Sequence, residues 1–128
     1  MTGDARKPGG HKDLRVWQEG ILLVKDAYRL TAAFPRDELF GLTSQIRRAA
    51  VSVPSNIAEG AARSSRREFV RFLGIARGSL SELETQAIIA RELGYTDCID
   101  DLTRRIEGLF RLLSALVNSL ADKSERDE

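Results

Sequence analysis

Six arginines crowd the stretch from Gly41 to Arg71: Arg47, Arg48, Arg63, Arg66, Arg67 and Arg71, against only Glu59 and Glu68. Guanidinium groups stay charged and present forked donors that match phosphate oxygens. Such a cluster speaks for binding an anion rather than for catalysis. Other chemistry is hard to assemble from this chain. The single histidine, His11, lies near the N-terminus, and the single cysteine is Cys98. Glu82 and Glu84 lack the Glu-x-x-His partners that build di-iron centres in helical bundles. C-x-x-C, H-E-x-x-H and G-x-x-x-x-G-K-[ST] are all absent, and the serines near Arg47 have no histidine base. The expectation is a non-enzymatic protein with no metal and no cofactor.

Local sequence predicts where these cations stand. Ser65-Arg66-Arg67-Glu68 fits a capping box, which puts Arg66 and Arg67 in a first helical turn. The helix dipole disfavours cations there by about 0.3–1 kcal/mol each. Either a nearby acid such as Glu59 or an anionic partner must offset that cost. Asn56, Glu59 and Arg63 share a helical face and predict a polar cluster that fixes register. Pro54 removes a hydrogen bond to Ala50. Val53 would be a poor N-cap for a fresh helix, so the reading is one continuous, bent helix, with Ser52 and Ser55 helping the freed backbone groups.

The elements that must position these residues are helices. Asp13 is expected to cap the first, whose seam Leu14, Trp17, Ile21, Val24, Tyr28 and Thr31 follows heptad spacing. Trp17 and Tyr28 are read as core rather than as base-stacking platforms. Phe34-Pro35 ends that helix. Asp37 is expected to cap the second, with Leu39, Leu42, Ile46, Ala49, Val53, Ile57 and Ala61 facing inward. The third carries Phe69, Leu73, Ala76, Leu80, Leu83, Ala87 and Ala90. Its Gly74 and Gly78, four apart, predict close approach of another helix, because each glycine otherwise costs about 1 kcal/mol. Gly94 suits a left-handed C-terminal cap. Thr96 is expected to cap the fourth helix, with Asp97, Asp100 and Asp101 favoured by the dipole. Its seam is Ile99, Leu102, Ile106, Leu109, Leu113, Leu116 and Leu120. Cys98 is expected on the core side.

Four such helices predict an all-α, antiparallel up-down-up-down four-helix bundle over residues 13–121. A flexible tail over 1–12 and a charged, frayed tail over 122–128 flank it. The 128 residues suit one domain, and the 42% hydrophobic and 30% charged content is that of a water-soluble chain. Net charge is only +1, but residues 41–80 carry about +5 and residues 81–128 about −5. One cysteine allows no internal disulfide, and no apolar run is long enough to span a bilayer. The expected location is the cytoplasm. Phe40, Val51, Ile88, Phe110 and Val117 exceed what one bundle seam uses, which predicts an oligomer.

DLRVWQEG, AYRLTAAFP, FGLTSQIRRAAVSVPSNIAEGAARSS, EFVRFLGIARGSLSELETQ and the final LGY together resemble the proteins encoded in 23S rRNA intervening sequences. The likeness is close over residues 13–96 and looser beyond. It implies a small antiparallel bundle that often forms a ring-shaped homopentamer. The family is similar to the accessory variability protein of diversity-generating retroelements, a basic pentamer that engages a reverse transcriptase and nucleic acid. The resemblance implies Arg47, Arg48, Arg63, Arg67 and Arg77 as functional cations. Two functions follow as expectations. One is a homo-oligomeric module whose basic face binds RNA, DNA or a ribonucleoprotein, with a nucleic-acid enzyme as a further partner. The other is a purely protein-binding assembly module, in which the same arginines meet acids of a neighbouring subunit.

Overall fold

The computed structural model describes residues 10–127, with side chains through 122. Four helices make it up: α1 (Arg15–Thr31), α2 (Leu42–Ala61), α3 (Arg66–Glu92) and α4 (Asp100–Asp127). No strand occurs among the described residues. Each helix packs on its neighbours in sequence, and α4 closes the circle on α1. With short connections this is the antiparallel four-helix bundle that the seams predict. The bend between α1 and α2 and the bend between α3 and α4 share one end, where Phe34 packs on Tyr95 with ring centroids 5.6 Å apart. The α2–α3 junction lies at the other end.

Helices three and four bury the residues expected of them. Phe69, Leu73, Ala76, Leu80, Leu83, Ala87 and Ala90 are all buried, as are Ile99, Leu102, Ile106, Leu109 and Leu113. Leu116 and Leu120 are half-buried where α4 runs on past α1. Helix two follows its seam from Leu42 onward, but Leu39 precedes the helix and is exposed. Helix one departs from expectation. Its buried face is Val16, Gly20, Leu23, Ala27 and Thr31, whereas Ile21 and Tyr28 are exposed. Apolar residues cover much of this helix, so periodicity alone left its phase loose. Closest approach settled it. A Cβ on Gly20 would stand 3.2 Å from Pro54 Cβ, so α1 presents its smallest residue to the proline ring.

Helix α2 runs unbroken through Pro54. Ser52 joins a short polar chain: Asn56 Nδ2 donates to Ser52 O (2.8 Å) and Oγ (2.9 Å), and Ser52 Oγ bonds Ser79 Oγ at 2.8 Å. That ties α2 to α3 beside the core. The other close crossing is at Gly60. A Cβ there would meet Phe72 Cβ at 2.7 Å and Phe69 O at 3.2 Å. Gly74 and Gly78, by contrast, face open space, which corrects the expectation of a helix packed against them. Gly94 does take the left-handed backbone expected of it, with φ of +81°.

Three caps also differ. Leu14, not Asp13, precedes α1, and it makes no side-chain cap bond. Residues 10–12, read as the inner end of a tail, form with Asp13 a 3-10 turn whose His11 meets Trp17 edge-on at 5.2 Å. The rest of that tail, residues 1–9, lies outside the described residues. Asp37 falls in a 3-10 turn, and the first N–H of α2 (Leu42) instead donates to Glu38 Oε1 at 3.0 Å. Tyr95 Oη donates to Glu38 Oε2 at 2.8 Å, so one carboxylate caps α2 and holds the opposite bend. The Leu42 N–H, then the Tyr95 hydroxyl, hold the Glu38 carboxyl below its ordinary value, and the same bond raises the Tyr95 phenol. Thr96 donates to Cys98 O, and α4 starts only at Asp100. Cys98 is exposed rather than core-facing, and its Sγ accepts from Asp100 N at 3.4 Å. Helix α4 runs to Asp127, into the charged tail expected over 122–128, and residue 128 lies outside the described residues.

Candidate nucleic-acid interface

The α2–α3 junction is built by the capping signal in the sequence. Ser65 Oγ accepts from Glu68 N at 3.1 Å and opens α3. The reciprocal half of the box is not made. The Glu68 carboxylate turns to Arg71 instead, at 3.3 Å. Arg63 pairs with Glu59 at 2.7 Å across one turn of helix. Between these pairs stands Phe72, buried against Gly60. The Arg63 guanidinium lies 5.0 Å from its ring centroid and that of Arg71 4.6 Å. One aromatic ring thus holds two guanidinia in place by cation–π attraction.

Arg66 and Arg67 stand exposed in the first turn of α3, with Glu68 as its acid. Arg67 makes no hydrogen bond or ion pair among the described residues. Arg63, Arg66, Arg67 and Arg71 against Glu59 and Glu68 leave a local excess of two positive charges on one rim. The polar cluster expected of Asn56, Glu59 and Arg63 divides in two. Asn56 turns inward to Ser52, and Glu59 turns outward to Arg63.

The remaining candidates lie elsewhere on the bundle. Arg47 Nε donates to Thr31 Oγ1 at 2.8 Å, and its guanidinium lies 4.4 Å from the Tyr28 ring centroid. Tyr28, read as core, is therefore an exposed plate under an arginine. Arg48 is exposed beside it. Fourteen residues at 1.5 Å rise put Arg47 about 21 Å along the axis from the end of α2 at Ala61, and Arg63 lies just beyond it. Arg77 reaches α4, where it donates to Ser114 Oγ at 3.3 Å and lies 5.5 Å from the Phe110 ring centroid. The seven arginines therefore make three places: Arg47 and Arg48 on α2, the junction quartet, and Arg77 between α3 and α4.

A residue that sequence reasoning missed is Arg105. It crosses from α4 to α1, where Nε donates to Asp26 at 2.6 Å and Nη1 to Glu19 at 2.8 Å. The Asp26 bond above all raises its pKa. Glu19 and Asp26 are seven apart on one helical face, a signal that becomes readable once a partner helix is placed. Among the described residues no group of His, Cys, Asp and Glu could hold a metal ion. No described helix is long and apolar enough to cross a membrane.

A family model for the 23S rRNA-intervening sequence protein matches residues 12–115, which takes in α1, α2, α3 and the first half of α4. The chain belongs to the 23S rRNA-intervening sequence protein family. No curated protein matches the chain. The family match covers all of the candidate arginines and the Arg105 network.

Proposed function

We propose that this member of the 23S rRNA-intervening sequence protein family is a non-enzymatic, homo-oligomeric interaction module of the cytoplasm. Its α2–α3 rim binds the phosphate backbone of RNA or DNA, alone or within a ribonucleoprotein. The observation that carries the reading is how its arginines are spent. Had Arg47, Arg63, Arg67 and Arg77 all been paired with carboxylates of their own chain, little would be left for phosphate. Of these four only Arg63 has a carboxylate partner, Arg47 and Arg77 lie against aromatic rings, and Arg67 is unpaired among the described residues. Surface ion pairs such as Arg63–Glu59 are worth about 0–1 kcal/mol and exchange readily for a phosphate. A nucleic-acid enzyme is proposed as a further partner, on the sequence motifs' resemblance to a family expected to be similar to the accessory variability protein.

Binding should tolerate sequence and fall steeply with salt, by about 0.9 in log K per log salt for each duplex phosphate neutralised. The Arg63→Ala/Arg67→Ala variant should keep its fold and lose up to about 2 from that slope per protomer engaged. Absence of an electrophoretic shift for the wild type at about 50 mM salt would remove the nucleic-acid reading.

A purely protein-binding role is favoured by a different observation. Phe40 is 93% exposed at the bend between α1 and α2, and Val51 and Ile88 are also exposed. Apolar groups left in water support assembly through these surfaces, with a pentamer favoured by family resemblance. Phe110 and Val117, also expected at contacts, are half-buried against the core. Under this reading the same double arginine variant leaves nucleic-acid binding unchanged or absent, and weakens the oligomer. Light scattering of the wild type tests assembly directly: a single 14.2 kDa species would exclude it.

A further inference from the structure

A cleft of about 650 Å³ runs between α1 and α4, and no residue of α2 or α3 lines it. Five arginines line it, Arg15, Arg29, Arg104, Arg105 and Arg111, with three acids, Glu19, Asp26 and Asp101. The acids are all engaged. Arg105 holds Glu19 and Asp26, Arg29 also reaches Asp26 at 3.6 Å, and Arg104 pairs with Asp101. Five cations less three anions leave two positive charges, and these fall on particular residues. Arg15 and Arg111 make no hydrogen bond, ion pair or ring contact among the described residues.

The register of the two helices brings those two together. They run antiparallel, and Arg105 sits between Glu19 and Asp26 of α1. Arg111 is six residues further along α4, about 9 Å at 1.5 Å per residue. That is level with the first turn of α1, where Arg15 stands. This turn contains no acid, and its flanking Leu14 provides no side-chain cap. A cation there works against the helix dipole. Gly108 leaves the wall open beside Arg111, whose guanidinium would lie 3.9 Å from an added Cβ. Two guanidinia lining one cleft, with no anionic partner among the described residues and with the cleft's acids already neutralised, suit a ligand with several negative oxygens on a short span.

We propose that the α1–α4 cleft is a binding site for a compact polyphosphate group, a diphosphate or triphosphate, gripped by Arg15 and Arg111. Arg105 is a positioning residue: by tying down Glu19 and Asp26 it removes the carboxylates that would repel the ligand. The site is separate from the α2–α3 rim and does not depend on that rim binding nucleic acid.

The probes are tripolyphosphate and adenosine triphosphate, titrated calorimetrically into the full chain at about 50 mM salt, with a short single-stranded RNA as a third arm. Arg15→Gln/Arg111→Gln should weaken tripolyphosphate binding by about tenfold or more. Arg63→Ala/Arg67→Ala should leave it within about twofold. Equal affinity for tripolyphosphate and the nucleotide assigns recognition to the phosphates alone, and tighter nucleotide binding assigns a nucleotide ligand; either supports the site. Arg111→Gln alone, at an exposed position, keeps the test sound should the double variant melt early. No heat from tripolyphosphate with the wild type would overturn the proposal. So would undiminished binding by both Arg15/Arg111 variants, or loss of binding on changing the α2–α3 pair instead. The RNA arm reads the rim and the tripolyphosphate arm reads the cleft, so failure of one proposal is distinguishable from failure of the other.

Discussion

Three glycines in this bundle should respond to the same substitution with opposite signs. At Gly60, alanine gains about 0.8–1 kcal/mol of helix propensity. Its Cβ, however, would stand 2.7 Å from Phe72 Cβ and 3.2 Å from Phe69 O. Both neighbours are backbone or next to it, so no rotamer change clears the clash and α2 must move off α3. Overpacking of this kind costs about 1–3 kcal/mol. The net for Gly60→Ala is a loss of about 0–2 kcal/mol once the propensity gain is subtracted. At Gly74 and Gly78 nothing lies within 4 Å of an added Cβ. There only the propensity gain acts, so Gly74→Ala and Gly78→Ala should each stabilise by about 0.5–1 kcal/mol. For a chain of this length 1 kcal/mol moves the melting point by about 3–5 °C. Thermal melts followed by far-UV circular dichroism should therefore place Gly60→Ala up to about 10 °C below the wild type and the other two about 2–5 °C above. A Gly60→Ala protein that melts above the wild type, as Gly74→Ala should, would refute the crossing geometry. A Gly74→Ala protein that melts as low as Gly60→Ala would show that the outer face of α3 is packed against something, contrary to the open space found there.

Leu73→Asp or Leu109→Asp puts a carboxylate where the side chain is 1% exposed. Either should cost more than about 4 kcal/mol and abolish cooperative melting; wild-type helicity and melting would refute the core assignment. Glu38→Gln should lower the melting point at pH 7, because the carboxylate caps α2 and accepts from Tyr95. The Glu38 carboxyl titrates lower in the folded protein than in the unfolded chain. Its contribution is therefore fully present above the unfolded value of about 4.3 and fades as pH falls through the folded one. The gap between wild type and variant should close as pH drops below about 4, and a gap that persists at lower pH would refute the charge-dependent part of the cap. Arg105→Met leaves Glu19 and Asp26 without their shared cation and should lower the melting point more than Arg104→Met, whose partner Asp101 is fully exposed to water; equal effects would refute the special place given to Arg105.

Local sequence alone determined four helices, the Ser65 cap, the left-handed Gly94, an α2 that continues through Pro54, and the buried faces of α3 and α4. Each depends on spacing or backbone preference within a few residues, and in α3 and α4 a single regular seam leaves only one phase for burial. The family motifs lie in the same stretches, so membership too was legible. The phase of α1 was not, because its apolar residues cover more than one face. The approach of Pro54 to Gly20 chose among them, a contact between residues 34 apart in the chain. The same holds for the caps of α1 and α2. Asp13 and Asp37 look suitable in isolation, but Glu38 can reach both Leu42 and Tyr95 only once two bends meet at one end. Partners of the arginines were the least legible of all. Charge density marked where cations concentrate, yet Arg47 finds Thr31, Arg77 finds Ser114 and Arg105 finds Asp26 and Glu19 on other helices. A guanidinium on a long stem can meet an acid, a ring or water with similar energy, and helix packing decides which lies within reach. Which cations are left for a phosphate is thus a property of the bundle, not of the charge pattern.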